Sequence, residues 1–385
     1  MFLLLLAQFG FDGGLGFFNM EDAWWVSVRL APEVGIGPVG FGLDIPIRVN
    51  VQTWELRGED WDSPADWVGK IRYIRLGYEH SPFYLRGGVL DHLTMGYGFI
   101  MDNYNNSIDE NERRIGLLFR SDLKRFGADF VWSNLASVDI VGIRPYIRPI
   151  KFFADIPIIS NVDVGFTWMR DFDMDLTFLG LDAGLPLNLT SMLSITPCAS
   201  IAKILTYGGG KAYGIRASIS LPIQILKLSF KFERRDITSQ FIPSYFDAFY
   251  EVKKEEKKET LKATDNPVHG WFGDLYATLM ENLTVGGGYE WYDEWETGKL
   301  HLVLDATRAF ENLPFKLIYD NNSVSSLSDI TFENDEDIMY TLIARYRVLP
   351  HVYVTLTVQQ TYAYNDSIDT YEPLRTFGVS GDIDF

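Results

Sequence analysis

The sequence predicts an all-β chain that closes on itself as a single antiparallel transmembrane β-barrel, with about 18–20 strands in an up-and-down meander. Three observations carry that expectation. Apolar and polar residues alternate with period two from Gln8 to the C-terminus. Aromatics make up 15% of the 385 residues, yet mean hydropathy is only −0.02. No apolar run approaches the ~18–20 residues that a spanning helix needs. Finally, the connections between alternating segments are short and long in turn, as when tight turns lie at one rim and loops at the other.

Met1–Ala7 is a short apolar run ending in a small residue, which reads as the remnant of a secretory signal or as the start of the first strand. Residues 8–385 read as one barrel domain without a break in composition. Phe9, Phe11, Leu15 and Phe17 alternate with Gly10, Asp12, Gly14 and Gly16; Trp24 to Ile36 repeats the pattern as far as the Gly37-Pro38 turn. From Val39 to Val51 the alternation is strict, with Pro46 on the polar face marking a bulge or edge. A loop rich in Trp, Asp and Glu (53–67) follows, then strands over Lys70–Tyr78 and Phe83–Ile100 and the polar loop 101–112. Alternation recurs through 115–132, 141–147, 162–168, 179–185, 193–201, 215–221 and 228–232. The longest interruption, 236–269, holds the aromatic stretch FIPSYFDAFYE and the charge run KKEEKKE at 253–259, which reads as a solvated loop. Strands resume at Trp271 and continue to Phe385, with no segment of helical period between them.

A soluble sandwich also alternates. Strands of ten or more residues and tryptophans near strand ends favour a membrane span, because a tilted spanning strand takes about 9–11 residues and the indole ring prefers the interface. Trp24, Trp54, Trp67, Trp132, Trp168, Trp271 and Trp291 are the expected interfacial aromatics. In lipid every backbone N–H and C=O must be paired, so the last strand has to close against the first, near Gln8–Phe18.

The final segment, LRTFGVSGDIDF (Leu374–Phe385), places Phe377, Val379, Ile383 and Phe385 on one face. It resembles the C-terminal targeting strand of bacterial outer-membrane β-barrel proteins of the porin-like kind, with Gly381 a gap in the apolar row. The resemblance implies an outer-membrane location with loops to the cell exterior. It further implies outer-membrane lipid and the barrel-assembly machinery as partners, and Phe377–Phe385 as the closing and targeting element.

Composition and spacing exclude several chemistries. A net charge of −18 argues against nucleic acid. A single cysteine, Cys198, permits no intramolecular disulfide and no Cys-based zinc site. The five histidines (His80, His92, His269, His301, His351) have no metal-ligand spacing. Asp91-His92-Leu93-Thr94 sets a carboxylate beside an imidazole, but adjacent strand residues face opposite sides. Gly208–Lys211 opens no helix, so it is no phosphate loop. No cofactor and no enzymatic activity are expected.

Counting parity inward gives a polar lumen that contains Asp44, Arg48, Asn50, Arg114, Arg120, Asp129, Asp163, Asp182, Arg216, Lys231, Glu233, Lys299, His301 and Asp305, with Thr355, Gln359, Asp382 and Asp384 on the same face. Charges in a dry core are costly, so this lumen is wet or laced with ion pairs. The aromatic loop with Phe241, Tyr245, Phe246, Phe249 and Tyr250 is long enough to fold inward as a constriction. The expected function is a porin-like channel for passive diffusion of small solutes; the alternative is a non-conducting structural or adhesive barrel that binds through acidic loops.

Overall fold

A computed structural model describes residues 7–20, 23–79, 81–108, 113–154, 156, 159–264, 266–333, 335–365 and 370–384. Its 22 strand segments form one continuous sheet with antiparallel neighbours. The first segment, Ala7–Met20, pairs with the last, Thr370–Asp384, in a register running from Asp12↔Asp384 to Asn19↔Phe377. The sheet is therefore closed and has no free edge. Two pairs of segments are single staves with an interruption. Val39–Leu43 and Ile45–Asn50 both pair with Ala23–Ile36; Leu176–Gly184 and Leu187–Asn188 both pair with Leu193–Ile204. That leaves a barrel of 20 staves in an up-and-down meander.

The irregularity expected at Pro46 falls instead at Asp44, whose amide donates to the Lys70 carbonyl at 2.8 Å and whose carboxylate is held by Arg29 and Arg113. The closing-strand residues Phe377, Val379 and Ile383 are exposed on the outer wall, in a belt with Leu15, Phe17, Ile201, Phe230 and Leu275. Inward positions such as Ser27, Lys231, Glu233, Thr355 and Thr376 are buried. An apolar belt that encircles a closed sheet belongs in hydrocarbon, where water would make it costly. Met1–Leu6, His80 and Phe385 lie outside the described residues.

Strand direction divides the connections between two rims. The turn rim carries both chain ends and Gly37-Pro38, 123–125, 280–282 and 350–351; the loop rim carries 51–70, 89–115, 238–267 and 325–337. The alternation of short and long is less strict than expected. The turn rim also holds 148–162, with two short 3-10 turns, and the loop rim holds the tight turns 172–175 and 205–208. All seven named tryptophans lie at the loop rim: Trp24, Trp132, Trp168, Trp271 and Trp291 toward strand ends, Trp54 and Trp67 in the 51–70 connection. The turn rim exposes Phe9, Phe153, Ile223 and Met280 instead.

Three further expectations are corrected. The strand expected over Phe83–Ile100 ends at Gly88, whose φ of +148° favours glycine, and 89–115 turns away from the sheet. The loop expected over 236–269 is narrowed to 238–267 by the Ile237↔Val268 pair. Within it the charge run is no solvated loop: Tyr250–Ala263 is an α-helix, and Tyr250, Glu251, Lys257 and Leu261 are buried. Helix formers such as Glu and Lys favour this, and Lys253, Lys254 and Lys257 find ion-pair partners in Asp337, Asp173 and Asp247, while Glu255, Glu256 and Glu259 stay exposed.

Candidate functional site

Segments 89–115 and 238–267 enter the bore from the loop rim and fold against each other as one insert. A hairpin bridge joins Leu93 to Tyr104, and a parallel bridge joins Met101 to Phe246. The Ser244 amide donates to the Phe99 carbonyl at 2.9 Å, and the Asp102 amide donates to that of Phe246 at 3.0 Å. These bonds satisfy backbone groups that would otherwise be orphaned away from water.

The insert is cemented by aromatics. Tyr245 and Phe246 pack on Phe178 of the Leu176–Gly184 strand with ring centroids 5.1 and 4.9 Å away; Phe241 packs on Phe99 at 5.5 Å and Tyr250 on Phe246 at 4.8 Å. Phe249 reaches the opposite wall, with its ring 6.3 Å from Tyr362. All five aromatics of the expected constriction loop are thus buried inside the barrel. Inward Leu118, Val131, Ile140, Met169 and Ile204 complete the apolar contact.

Charges position the insert helix. Glu251 accepts from Arg114 and from the Tyr104 hydroxyl, and the Tyr250 hydroxyl donates to Asp171. Lys253 and Lys254 reach Asp337 and Asp173, each at 2.6 Å. Asp247 lies between Lys257 of the helix (2.5 Å) and Lys299 of the wall (2.9 Å). Burial works against the Asp247 carboxylate, but the two ammoniums outweigh it and hold its carboxyl down at about 2. For Lys257 burial wins over Asp247 and pulls the ammonium down to about 8. Burial also raises Glu251, with Arg114 opposing.

The insert leans on one side of the bore and leaves a cavity of about 750 Å³ on the other. Its wall comes from strands Leu193–Ile204, Gly209–Ser220, Leu226–Ile237, Val268–Leu279, Leu283–Tyr292, Gly298–Asp305 and Phe315–Val324. Lining residues run from Glu290 and Lys299 near the loop rim to Thr284, Asp305 and Lys316 near the turn rim.

Of the fourteen predicted lumen residues, Arg216, Lys231, Lys299, His301 and Asp305 line this cavity. Lys231 donates to the Tyr97 carbonyl at 2.9 Å and faces Glu233 at 3.3 Å; Arg216 lies over the Tyr97 ring at 4.7 Å. The others are engaged elsewhere. Asp129, Asp163 and Asp182 converge on Arg144, at 3.6 and 3.5 Å for the first two and 2.9 Å from Asp182 to its Nε. Asp44 pairs with Arg29 and Arg113, Arg48 with Asp60, and Arg120 with Glu79. Asn50 caps a turn through the amides of Gln52 and Thr53, and Arg114 holds the insert helix.

Sequence reasoning left out Arg144, Arg235, Asp247, Asp274, Glu290 and Asp320. Arg235, fully buried, bridges Glu233 and Glu290, each at 3.1 Å. Arg144, Arg235, Asp274, Glu290 and Asp320 sit at inward parity, so the same count that found Lys231 and Glu233 contains them. The Asp91–Thr94 quartet makes no catalytic relay: the His92 ring bonds Asn103, the Thr94 hydroxyl donates to Asp102 at 2.6 Å, and Asp91 faces Arg86 at 4.0 Å. Among the described residues, no three His, Cys, Asp or Glu side chains converge as a metal cage.

No protein-family model and no curated protein matches the chain. Among solved structures it is similar to OprD of Pseudomonas aeruginosa (10% identity, 99% of this chain and 95% of that one, TM-score 0.39). It is also similar to OccK5 (OpdH) of the same organism (13%, 98% and 98%, TM-score 0.38). CdiB from Acinetobacter baumannii is similar at 7% identity over 98% of this chain and 60% of that one, with a TM-score of 0.31.

Proposed function

We propose that the chain is a porin-like channel of a bacterial outer membrane, through which small polar solutes diffuse passively. The cavity beside the insert carries the reading: it follows whole wall strands from one rim toward the other and is lined by charges of both signs. Solutes pass between Lys299, Lys231, Arg216 and Lys316 on one hand and Glu290, Asp274 and Asp305 on the other. The insert, with Phe241, Tyr245, Phe246, Phe249 and Tyr250 at its centre, narrows the bore. In this reading the loop rim faces the cell exterior, the tryptophans sit at that interface, and the C-terminal strand engages the barrel-assembly machinery.

A second reading is favoured by the insert itself. Its apolar cement against Phe178, Met169 and Val131 is that of a folded core, which suits a structural or adhesive barrel that never conducts. Planar-bilayer recording of the purified full chain separates the two. Discrete conductance steps are expected; their absence at every voltage, with the barrel folded by heat-modifiable gel mobility, sinks the channel.

A further inference from the structure

One sector of the turn rim differs from the rest. The connections Gly37-Pro38, 222–225, 280–282 and 350–351 contain no lysine or arginine, in a chain of net charge −18. Connections 122–125 and 148–156 instead hold four cations, Lys124, Arg125, Arg148 and Lys151, against Asp122 and Asp155, the latter outside the described residues. Backbone bonds staple the two connections together. The Arg148 amide donates to the Arg125 carbonyl at 2.7 Å, and the Lys151 amide to that of Arg148 at 3.1 Å. The Arg148 guanidinium donates to both Asp122 carboxylate oxygens, at 2.7 and 2.9 Å, and to the Lys124 carbonyl at 2.9 Å. Glu79 of the adjacent turn is held by Arg120. Asp122 and Glu79 are thus engaged, and Lys124, Arg125 and Lys151 form no ion pair among the described residues.

The same sector presents phenyl rings. Phe153 is 91% exposed and Phe152 46%, with the Arg125 guanidinium 5.8 Å from the centre of the Phe152 ring. The lipid-facing belt reaches this rim through Phe126, Ile147 and Val164, exposed neighbours paired across three strands. Cations beside exposed phenyl rings, at the edge of an apolar belt, match the two layers of a phospholipid, its acyl chains and its phosphate. A soluble phosphate would satisfy the cations but leave both rings in water, where apolar surface is costly.

We propose that Lys124, Arg125 and Lys151 bind the phosphate of an anionic glycerophospholipid in the leaflet at the turn rim, with Phe152 and Phe153 seated among acyl chains. Ammonium and guanidinium groups make charge-assisted hydrogen bonds to phosphate oxygens. A choline headgroup brings its own cation and gains less from them. The identity of the leaflet follows from the orientation proposed above; the site itself depends neither on that orientation nor on conduction.

The test titrates the full-length, detergent-folded barrel with dioleoylphosphatidylglycerol or dioleoylphosphatidylcholine and counts bound lipid by native mass spectrometry. Phosphatidylglycerol should bind at least fivefold tighter. Each cation is worth about fivefold at an anionic lipid surface, so Lys124→Gln/Arg125→Gln/Lys151→Gln should weaken phosphatidylglycerol at least tenfold and leave phosphatidylcholine within twofold. Lys203→Gln/Lys211→Gln/Lys262→Gln removes as much charge from exposed positions toward the loop rim and should leave both lipids within twofold of wild type. Phe152→Ser/Phe153→Ser should weaken both lipids. Should the first triple variant fail the heat-modifiability check, Lys124→Gln and Lys151→Gln replace it singly, each expected at least threefold weaker for phosphatidylglycerol. Equal affinity of the wild type for the two lipids, or wild-type affinity for phosphatidylglycerol in the folded variant lacking the cations, overturns the proposal. Displacement of the lipid by an equal concentration of inorganic phosphate overturns it too, since the site would then take a soluble anion.

Discussion

Replacing Asp247 by Asn should loosen the insert helix from the barrel wall. The carboxylate is the shared partner of Lys257 and Lys299, at 2.5 and 2.9 Å, and both Asp247 and Lys257 are buried. Removing one partner of a buried pair leaves an uncompensated charge and costs about 3–5 kcal/mol. At about 1.4 kcal/mol per decade, docking of Tyr250–Ala263 should weaken by roughly two to three and a half orders of magnitude. Hydrogen exchange read by mass spectrometry measures this directly as lost protection over 250–263. Protection within tenfold of wild type there, in a folded barrel, would refute the latch.

The remaining expectations concern pH, the wall and the closing strand. Lys257 titrates at about 8 when docked and at 10.5 as a free side chain. Between those values the undocked state holds a proton that the docked state lacks, so docking should tighten as pH rises from 8 to 10, seen as protection corrected for intrinsic exchange. Phe178→Ala removes the ring beneath Tyr245 and Phe246 and should destabilise the barrel by about 3–5 kcal/mol in urea titrations. Arg144→Met strands Asp129, Asp163 and Asp182 and should cost about 3–5 kcal/mol by the same measurement. Gly381→Ala, whose new Cβ meets nothing within 4 Å, should stabilise by about 0.5–1 kcal/mol. Gly214→Ala should destabilise instead, because its Cβ would stand 2.0 Å from the Phe232 carbonyl oxygen.

The barrel was legible in the sequence because a closed sheet in lipid forces the same period on every strand. Val379 and Ile383 face outward for the reason that Leu15 and Phe17 do, and the parity count carried from one to the other. The insert was not legible by that count. Residues 89–100 keep enough alternation to read as strand, and the departure is marked by positive φ at Gly88, Gly96 and Gly98 and at His92. KKEEKKE read as solvated because Asp173 and Asp337, the partners of Lys254 and Lys253, arrive from distant parts of the chain, and Asp247, the partner of Lys257, lies outside the run.

Yet the sequence holds a trace of where the insert leans. At Leu117–Phe119, Phe130–Trp132, Ile140–Val141, Trp168–Met169 and Phe178–Leu179 consecutive residues are apolar, so both faces of those strands are. One face meets lipid; the other must meet something dry inside. On Gly209–Ser220, Leu226–Ile237 and Val268–Leu279 the inward face instead carries Arg216, Lys231, Glu233 and Asp274. The insert follows this division, packing on Leu118, Val131, Met169 and Phe178 and leaving its cavity against Arg216, Lys231 and Asp274. The two walls should then respond differently to substitution. Truncation on the first undermines a core and is read as lost stability. Neutralising Lys231 or Asp274 on the second alters the field along the cavity and should be read first in ion selectivity, through the reversal potential under a salt gradient.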